Sequence, residues 1–253
     1  MCHLAFFGLS SKHRSLPVLA TTFTAVLSAI TACPVAAQQI ANRATLNTLL
    51  ANGSSKDTFE IFNVPNNSPA SVPSTLDATT ITNKQGPGLV SPGVTYTSIA
   101  TTGGALASSL QINGANYFGQ PSRDLLSNAT ILRIAFSTSV TAYGLDLTTY
   151  ATFPDTATIR TYAADGTTLV NTTSGLALSI STPSVPTFYG FQNATGIGAV
   201  ELQGTQPYSP IIDNVQFGNA AAGSTAPEPG SAGLLLTCVL PLGGLAVRRR
   251  HRS

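Results

Sequence analysis

The sequence predicts an all-β protein, an antiparallel β-sandwich that is jelly-roll-like, bracketed by an N-terminal signal peptide and a C-terminal transmembrane helix. Three observations predict it. Charged residues make up only 9% of the 253-residue chain, against about 25% in an average soluble protein, and Thr, Ser, Asn, Gly and Ala fill the space. Between Gln38 and about Gly218, short runs alternate apolar and polar residues with Gly, Asn and Pro between them, the period-2 signature of half-buried strands joined by turns. Two uncharged apolar runs stand near the ends, each beside basic residues. The expected organisation is a signal peptide over 1–37, a sandwich ectodomain over 38–218, a flexible linker over 219–226 and a tail over 227–253 with its helix at 231–247.

The front end reads as a secretory signal. Lys12 and Arg14 precede an apolar run from Leu16 to Ile30, and Val35 and Ala37 then occupy the small-residue positions of a cleavage site. Cleavage there makes Gln38 the new N-terminus. Ile30 to Cys33 also resembles a lipobox, the rival signal for export. Cleavage at Ala37 would leave Cys238 as the one cysteine, so the core must be stabilised by packing rather than by an internal disulfide.

Within the ectodomain the first element expected is a short helix, with Leu46, Leu49 and Leu50 on one side and Gly53 ending it. Strands follow in "DTFEIF", "GVTYTSIA" and "SLQINGANYFG". "ATILRIAFS" and "VTAYGLDLTTY" read as two strands. "TATIRTYAADGTTLVNTT" reads as a hairpin about Ala164, Asp165 and Gly166. "TFYGFQNATGIGAVELQG" reads as two strands about a turn at Asn193 to Gly196, and "PIIDNVQFG" closes the domain. The jelly-roll-like form is preferred because the closing strand of such domains often pairs with the opening one.

The tail has three parts in order: Pro227, Glu228 and Pro229; an uncharged run from Ser231 to Val247; and Arg248, Arg249 and Arg250. A helix of that length spans roughly 26 Å, close to the apolar thickness of a bilayer. The arginines hold its far end on the cytoplasmic side. The two prolines keep the tripeptide extended above the helix. Together the three parts resemble a PEP-CTERM sorting signal. The resemblance implies export by the general secretion machinery, signal peptidase cleavage and transit through the inner membrane of a Gram-negative bacterium. It further implies cleavage near Pro227–Pro229 by an exosortase and delivery to the cell surface or exopolysaccharide matrix. The body, in "GPGLVSPGVTYTS", "GQPSRDLLSN", "FYGFQ" and "IIDNVQFG", is similar to bodies found ahead of such signals, and that likeness names no activity.

Chemistry is narrowed by subtraction. Between Gln38 and Thr225 there is no His, Cys, Met or Trp, which removes Ser-His-Asp and Cys-His catalysis and ordinary zinc sites. Six basic residues stand there against nine acidic ones, a formal charge of −3, and the absence of a basic cluster argues against nucleic acid. Catalytic residues are therefore expected to be none. Glycoside hydrolysis needs only two carboxylates, for which Asp146, Asp155, Asp165 and Glu201 are available. Asp165 is better explained by its turn, and Asp155 is placed in a loop after Pro154. Glu60 and Asp213, in the opening and closing strands, are weak candidates for a structural calcium. The preferred alternative leaves Glu60 solvated and Asp213 bonded to a turn, with no cofactor. The leading expectation is a non-catalytic surface or matrix protein, and the alternative is a carbohydrate-binding module. For polysaccharide the platform would be aromatic, and Tyr117, Phe118, Tyr143, Tyr150, Phe153, Tyr162, Phe188, Tyr189, Phe191 and Tyr208 are available: Tyr117, Tyr150 and Tyr208 lie near turns, while most of the others alternate with polar residues as core positions do.

Overall fold

The computed structural model describes residues 37–81, 87–100, 108–150, 155–179, 185–205 and 208–221. The expected signal peptide up to residue 36, Phe153, and the sorting tail with its membrane helix lie outside these residues. Among the described residues no helix is long and apolar enough to cross a membrane.

The alternating runs become twelve strands: β1 Gln38–Ile40, β2 Ser54–Asp57, β3 Pro69–Val72, β4 Thr75–Asp77, β5 Val94–Ile99, β6 Leu110–Asn113, β7 Asp124–Ser127, β8 Ile131–Thr148, β9 Asp155–Ala163, β10 Leu169–Leu178, β11 Thr187–Gly204 and β12 Ile211–Gly218. Between β1 and β2 lies helix α1, Arg43–Leu49. The protein is thus mostly β, and the strand ladders between these elements are antiparallel.

Three expectations change. "DTFEIF" keeps only Asp57 in a strand, and Glu60 falls in the turn that follows. β8 is one strand, not two, and so is β11. Their length organises the sheet. The first half of β8 pairs with β5 and with the second half of β11, which also pairs with β9. The second half of β8 pairs with the first half of β11 and with β12. The supposed turn at Asn193–Gly196 is an irregularity inside β11, where the register against β8 shifts between Gln192 and Ile197. Asn193 Nδ2 donates to the Gly196 carbonyl and holds that kink closed. Each long strand therefore passes from one layer of neighbours to another.

Side chains reach across these layers. Tyr96 of β5 donates its hydroxyl to Asp57 of β2 at 2.7 Å. The Tyr143 hydroxyl of β8 meets Thr161 of β9 at 2.8 Å, and the Tyr189 hydroxyl of β11 meets Thr173 of β10 at 3.0 Å. All three tyrosines are fully buried among Leu132, Ile134, Leu145, Ile159 and Val200. Their rings supply apolar area, and each hydroxyl finds the partner that burial demands.

A second, smaller core lies under α1, where Leu46, Leu49 and Leu50 pack with Ile40 and Ala142. Asn42 caps the helix by accepting from Thr45 N at 2.9 Å. Gly144 and Gly190 are directly opposite on β8 and β11. A Cβ on Gly144 would stand 2.6 Å from Leu46, and one on Gly190 would stand 2.8 Å from the Phe188 ring. The bare backbone pair lets the helix sit down on the sheet. At the other end of the domain β12 pairs with β2, Val215 opposite Asp57. The chain remains tied down past β12, since Ala220 N donates to Thr141 and Ala221 N to the Leu49 carbonyl.

Candidate functional site

Three connections bring four aromatic rings together. Tyr117 and Phe118 come from the β6–β7 connection, Tyr150 follows β8 and Tyr208 precedes β12. Contact runs in series: Tyr117 to Phe118 at 4.3 Å between centroids, Phe118 to Tyr150 at 5.8 Å, and Tyr150 to Tyr208 at 4.9 Å. The three tyrosines are half-buried and Phe118 is 38% exposed. The core candidates separate from them: Tyr143, Tyr189 and Phe191 are buried, while Tyr162 and Phe188 are half-buried. The last two carry arginines, Arg133 and Arg43, over their rings.

Described residues beside each ring are bonded to neighbouring elements. Gly114 N donates to the Ser68 carbonyl and Asn67 N to the Ala115 carbonyl, which binds the Tyr117–Phe118 loop to the preceding turn. The approach is so close that a Cβ on Gly114 would stand 1.9 Å from the Pro65 carbonyl oxygen. Asn116, Phe118 and Gly119 all adopt positive φ, at 67°, 51° and 74°. For a bulky residue this backbone is costly, about 1–2 kcal/mol. Phe118 bears that cost without burying its ring, a pattern associated with binding surfaces.

Near Tyr150 and Tyr208 lies Asp155, which is 4% exposed. Its carboxylate accepts from Thr149 Oγ1 at 3.0 Å, from Thr205 Oγ1 and from its neighbour Thr156 N at 2.8 Å. One acid thus ties the residue before Tyr150 to the connection that leads to Tyr208. Asp155 opens β9 rather than lying in a loop. Ser209 completes the seat: Ser127 N donates to its hydroxyl, and its own N–H donates to the Ser127 carbonyl. Partial burial raises the Tyr150 hydroxyl above its ordinary value, opposed by a hydrogen bond with the Tyr208 backbone and helped by the Asp155 charge.

The carboxylates proposed from sequence do not assemble into a catalytic pair. Asp146 is bound by Arg43 at 2.7 Å, Glu201 by Arg133 at 2.6 Å and by the Tyr162 hydroxyl, and Asp165 by Thr167 and Thr168 in its turn. Those turn bonds hold the Asp165 carboxyl down at about 2. A groove of about 550 Å³, lined by Asn52, Ser55, Gly93, Ser137, Ser139 and Asn219 among others, has no carboxylate in its wall.

A different acid row was not foreseen. Asp213 of β12 is directly opposite Asp146 of β8. On its other side Ile212 is opposite Leu125, so one step along that register sets Asp213 beside Asp124 of β7. Opposite residues on antiparallel strands share a face, and like charges there repel. Asp124 is 1% exposed, accepts from Asn113 at 2.6 Å through Oδ1, and leaves a buried Oδ2 without a hydrogen-bond partner. Burial raises its carboxyl well above the usual range, reinforced by Asp213 and Glu60. Burial likewise brings Asp213 up to about 6.

Glu60 and Asp213 both border this row without converging on an ion. Glu60 pairs with Arg123 at 3.1 Å and is 44% exposed. Asp213 accepts from Ser122 at 2.8 Å and from Asn214 N at 2.6 Å, at a register irregularity inside β12 rather than in the turn expected of it. Among the described residues no three His, Cys, Asp or Glu side chains are grouped to hold a metal ion. Asp124 itself is sealed from solvent, whereas Asp146 and Asp213 are half-buried.

The sequence placed Tyr117, Tyr150 and Tyr208 near turns but did not reveal that they meet. Phe118, grouped by sequence with the core aromatics, is exposed instead, and the bridging role of Asp155 was missed. "NGANYFG" carried a signal for the first: turn-forming Asn and Gly on both sides of two adjacent rings.

No protein-family model matches the chain, and no curated protein does. Among solved structures it is similar to a mutant of the family 29 carbohydrate-binding module CBM29-2, at 11% identity and a TM-score of 0.31 over 63% of this chain and 100% of that one. It is similar to the CBM22-1 xylan-binding domain from Paenibacillus barcinonensis, at 11% identity and a TM-score of 0.32 over 58% and 94%. A family 11 carbohydrate-binding module from Clostridium thermocellum, in complex with a β-1,3-1,4-mixed-linked tetrasaccharide, is similar at 7% identity and a TM-score of 0.24 over 66% and 96%.

Proposed function

We propose that this chain is a non-catalytic polysaccharide-binding protein of a Gram-negative cell surface or exopolysaccharide matrix. The observation that supports it is the four-ring cluster of Tyr117, Phe118, Tyr150 and Tyr208, half open to solvent and drawn from three connections. Sugars present flat C–H faces edged by hydroxyls. Tyrosine matches them with an apolar face and a polar tip, and loses little freedom on binding. A cluster held for folding alone would be expected to bury Phe118 rather than strain its backbone outward.

The body supports a jelly-roll-like sandwich, with its closing strand β12 beside the early strand β2. Export, membrane transit and exosortase processing rest on Val35, Ala37 and Gln38, on Pro227 to Pro229 and on Arg248 to Arg250. A signal that delivers a protein into a glycan matrix and a body that grips glycan make one coherent device. Hydrolysis is disfavoured because the candidate carboxylates are each held by separate partners.

A glycan array probed with the full chain in detergent tests the reading. Binding to at least one polysaccharide, weakened about tenfold or more by Tyr150→Ala with the fold intact, is the expected result. Retention of all binding by that variant would remove the ring cluster from the function.

A further inference from the structure

We propose that the ring cluster is built for a single, uncharged polysaccharide chain in solution, and not for a crystalline face or a polyanion. The inference rests on the glycan-binding reading above and narrows its ligand.

The first argument is inclination. A flat crystalline surface can be covered only by rings that share a plane. Here successive rings are inclined by 57°, 53° and 73°. Tyr150 and Tyr208 meet edge to face, so a plane that lies on one ring meets the other end-on. A free chain twists from one sugar to the next, and can turn successive faces toward differently inclined rings. The neighbours of the rings are tied to the fold, Thr149 and Thr205 to Asp155 and Gly114 to the Ser68 carbonyl.

The second argument is charge. The two cation–π pairs of the described residues lie elsewhere, Arg43 over Phe188 and Arg133 over Tyr162. The charge that acts on the rings is negative: Asp155 raises the Tyr150 hydroxyl. The region from Gln38 to Thr225 carries a formal −3. Among the described residues no cation lies over these four rings, and Arg123 of the β6–β7 connection is paired with Glu60, so a polyuronate would approach an acidic protein with little positive charge to compensate it. A neutral chain meets neither repulsion nor an unpaired buried charge. The tyrosine hydroxyls offer both donor and acceptor capacity, which suits sugar hydroxyls and gives no preference for carboxylates.

The test uses the full chain in detergent, in affinity electrophoresis and pull-down, with its Phe118→Ala, Tyr150→Ala and Tyr208→Ala variants. Hydroxyethylcellulose, xylan and dextran serve as soluble uncharged chains, microcrystalline cellulose as a flat face and alginate as a polyanion. Melting temperature of each variant checks the fold. The expected result is retardation by at least one soluble uncharged polymer, reduced about tenfold or more in at least two variants, unaffected by added salt. Preferential binding to microcrystalline cellulose or to alginate, lost in the same variants, would overturn the ligand class and leave a glycan site in place. Failure to bind any of the five polymers, or equal binding by wild type and all three variants, would overturn both the class and the glycan reading.

Discussion

Asp213 shows how a single side chain can set the behaviour of this domain in solution. It stands between Asp124 and Asp146 on adjacent strands, where opposite Cα atoms are about 4.5–5.5 Å apart. Burial, reinforced by Asp146 and Glu60 and opposed by bonds from Ser122 and Asn214, lifts its carboxyl from 3.8 to about 6. The folded state therefore binds this proton more tightly than the unfolded state does. The stabilisation is fully present below about pH 4 and is lost as pH rises through about 6, a span worth up to about 3 kcal/mol. Asp165 works in the opposite sense, its carboxyl held at about 2 by threonine bonds, so its stabilisation is lost only as pH falls toward 2. Between pH 7.5 and pH 5 Asp213 and the more deeply buried Asp124, whose carboxyl burial also raises, act in the same direction. Thermal unfolding should thus show a higher Tm at pH 5 than at pH 7.5. Asp213→Asn keeps one acceptor oxygen, for Asn214 N, removes the like charge beside Asp124 and Asp146, and should raise Tm at pH 7.5 and reduce the difference. A Tm that falls steadily from pH 7.5 to 5 in both proteins would contradict this account.

At the level of elements, the loop that bears Tyr117 and Phe118 depends on the absence of a side chain at Gly114. A methyl group there would overlap the Pro65 carbonyl oxygen at 1.9 Å, and backbone cannot step aside as a side-chain tip can. Gly114→Ala should cost about 2–3 kcal/mol and, because the loop must lift off its turn, should also weaken glycan binding. Chemical denaturation measures the first effect and affinity electrophoresis the second; a variant with unchanged stability would show that the loop is not seated as described. This element also marks the boundary of what sequence discloses. Helix α1 and the β9–β10 hairpin were legible because their signals are local: leucines on one face with Gly53 beyond them, and an Asp-Gly turn between alternating runs. The continuity of β8 and β11 was not, because Ser137–Ser139 and Asn193–Gly196 have turn composition. Pairing between two strands distant in sequence overrode that local preference. The same holds for the site. Each of Tyr117, Tyr150 and Tyr208 could be placed near a turn singly. Their convergence depends on Asp155 reaching Thr205, 50 residues away, and no local pattern encodes that contact.

For the whole molecule, the distribution of charge gives the sorting proposal a consequence that mass alone would not. The complete chain has a formal charge of +2 and an isoelectric point near 8.5, whereas the region from Gln38 to Thr225 carries −3. The basic residues that reverse the sign lie at Lys12, Arg14, Arg248, Arg249, Arg250 and Arg252, on the two segments that signal peptidase and exosortase would remove. Processing should therefore convert a basic precursor into an acidic mature protein. That sign suits the ligand inferred above, because an acidic body in a matrix is repelled by polyanions and held by uncharged chains through its rings. Intact-mass measurement and isoelectric focusing of the surface fraction from the native host should give a species beginning near Gln38, lacking Arg248 to Arg252 and focusing below neutrality. Deletion of Pro227 to Pro229 should leave the basic tail attached and the protein in the inner-membrane fraction. A surface-located form that retains the arginines and focuses near 8.5 would mean that the protein reaches the surface by another route.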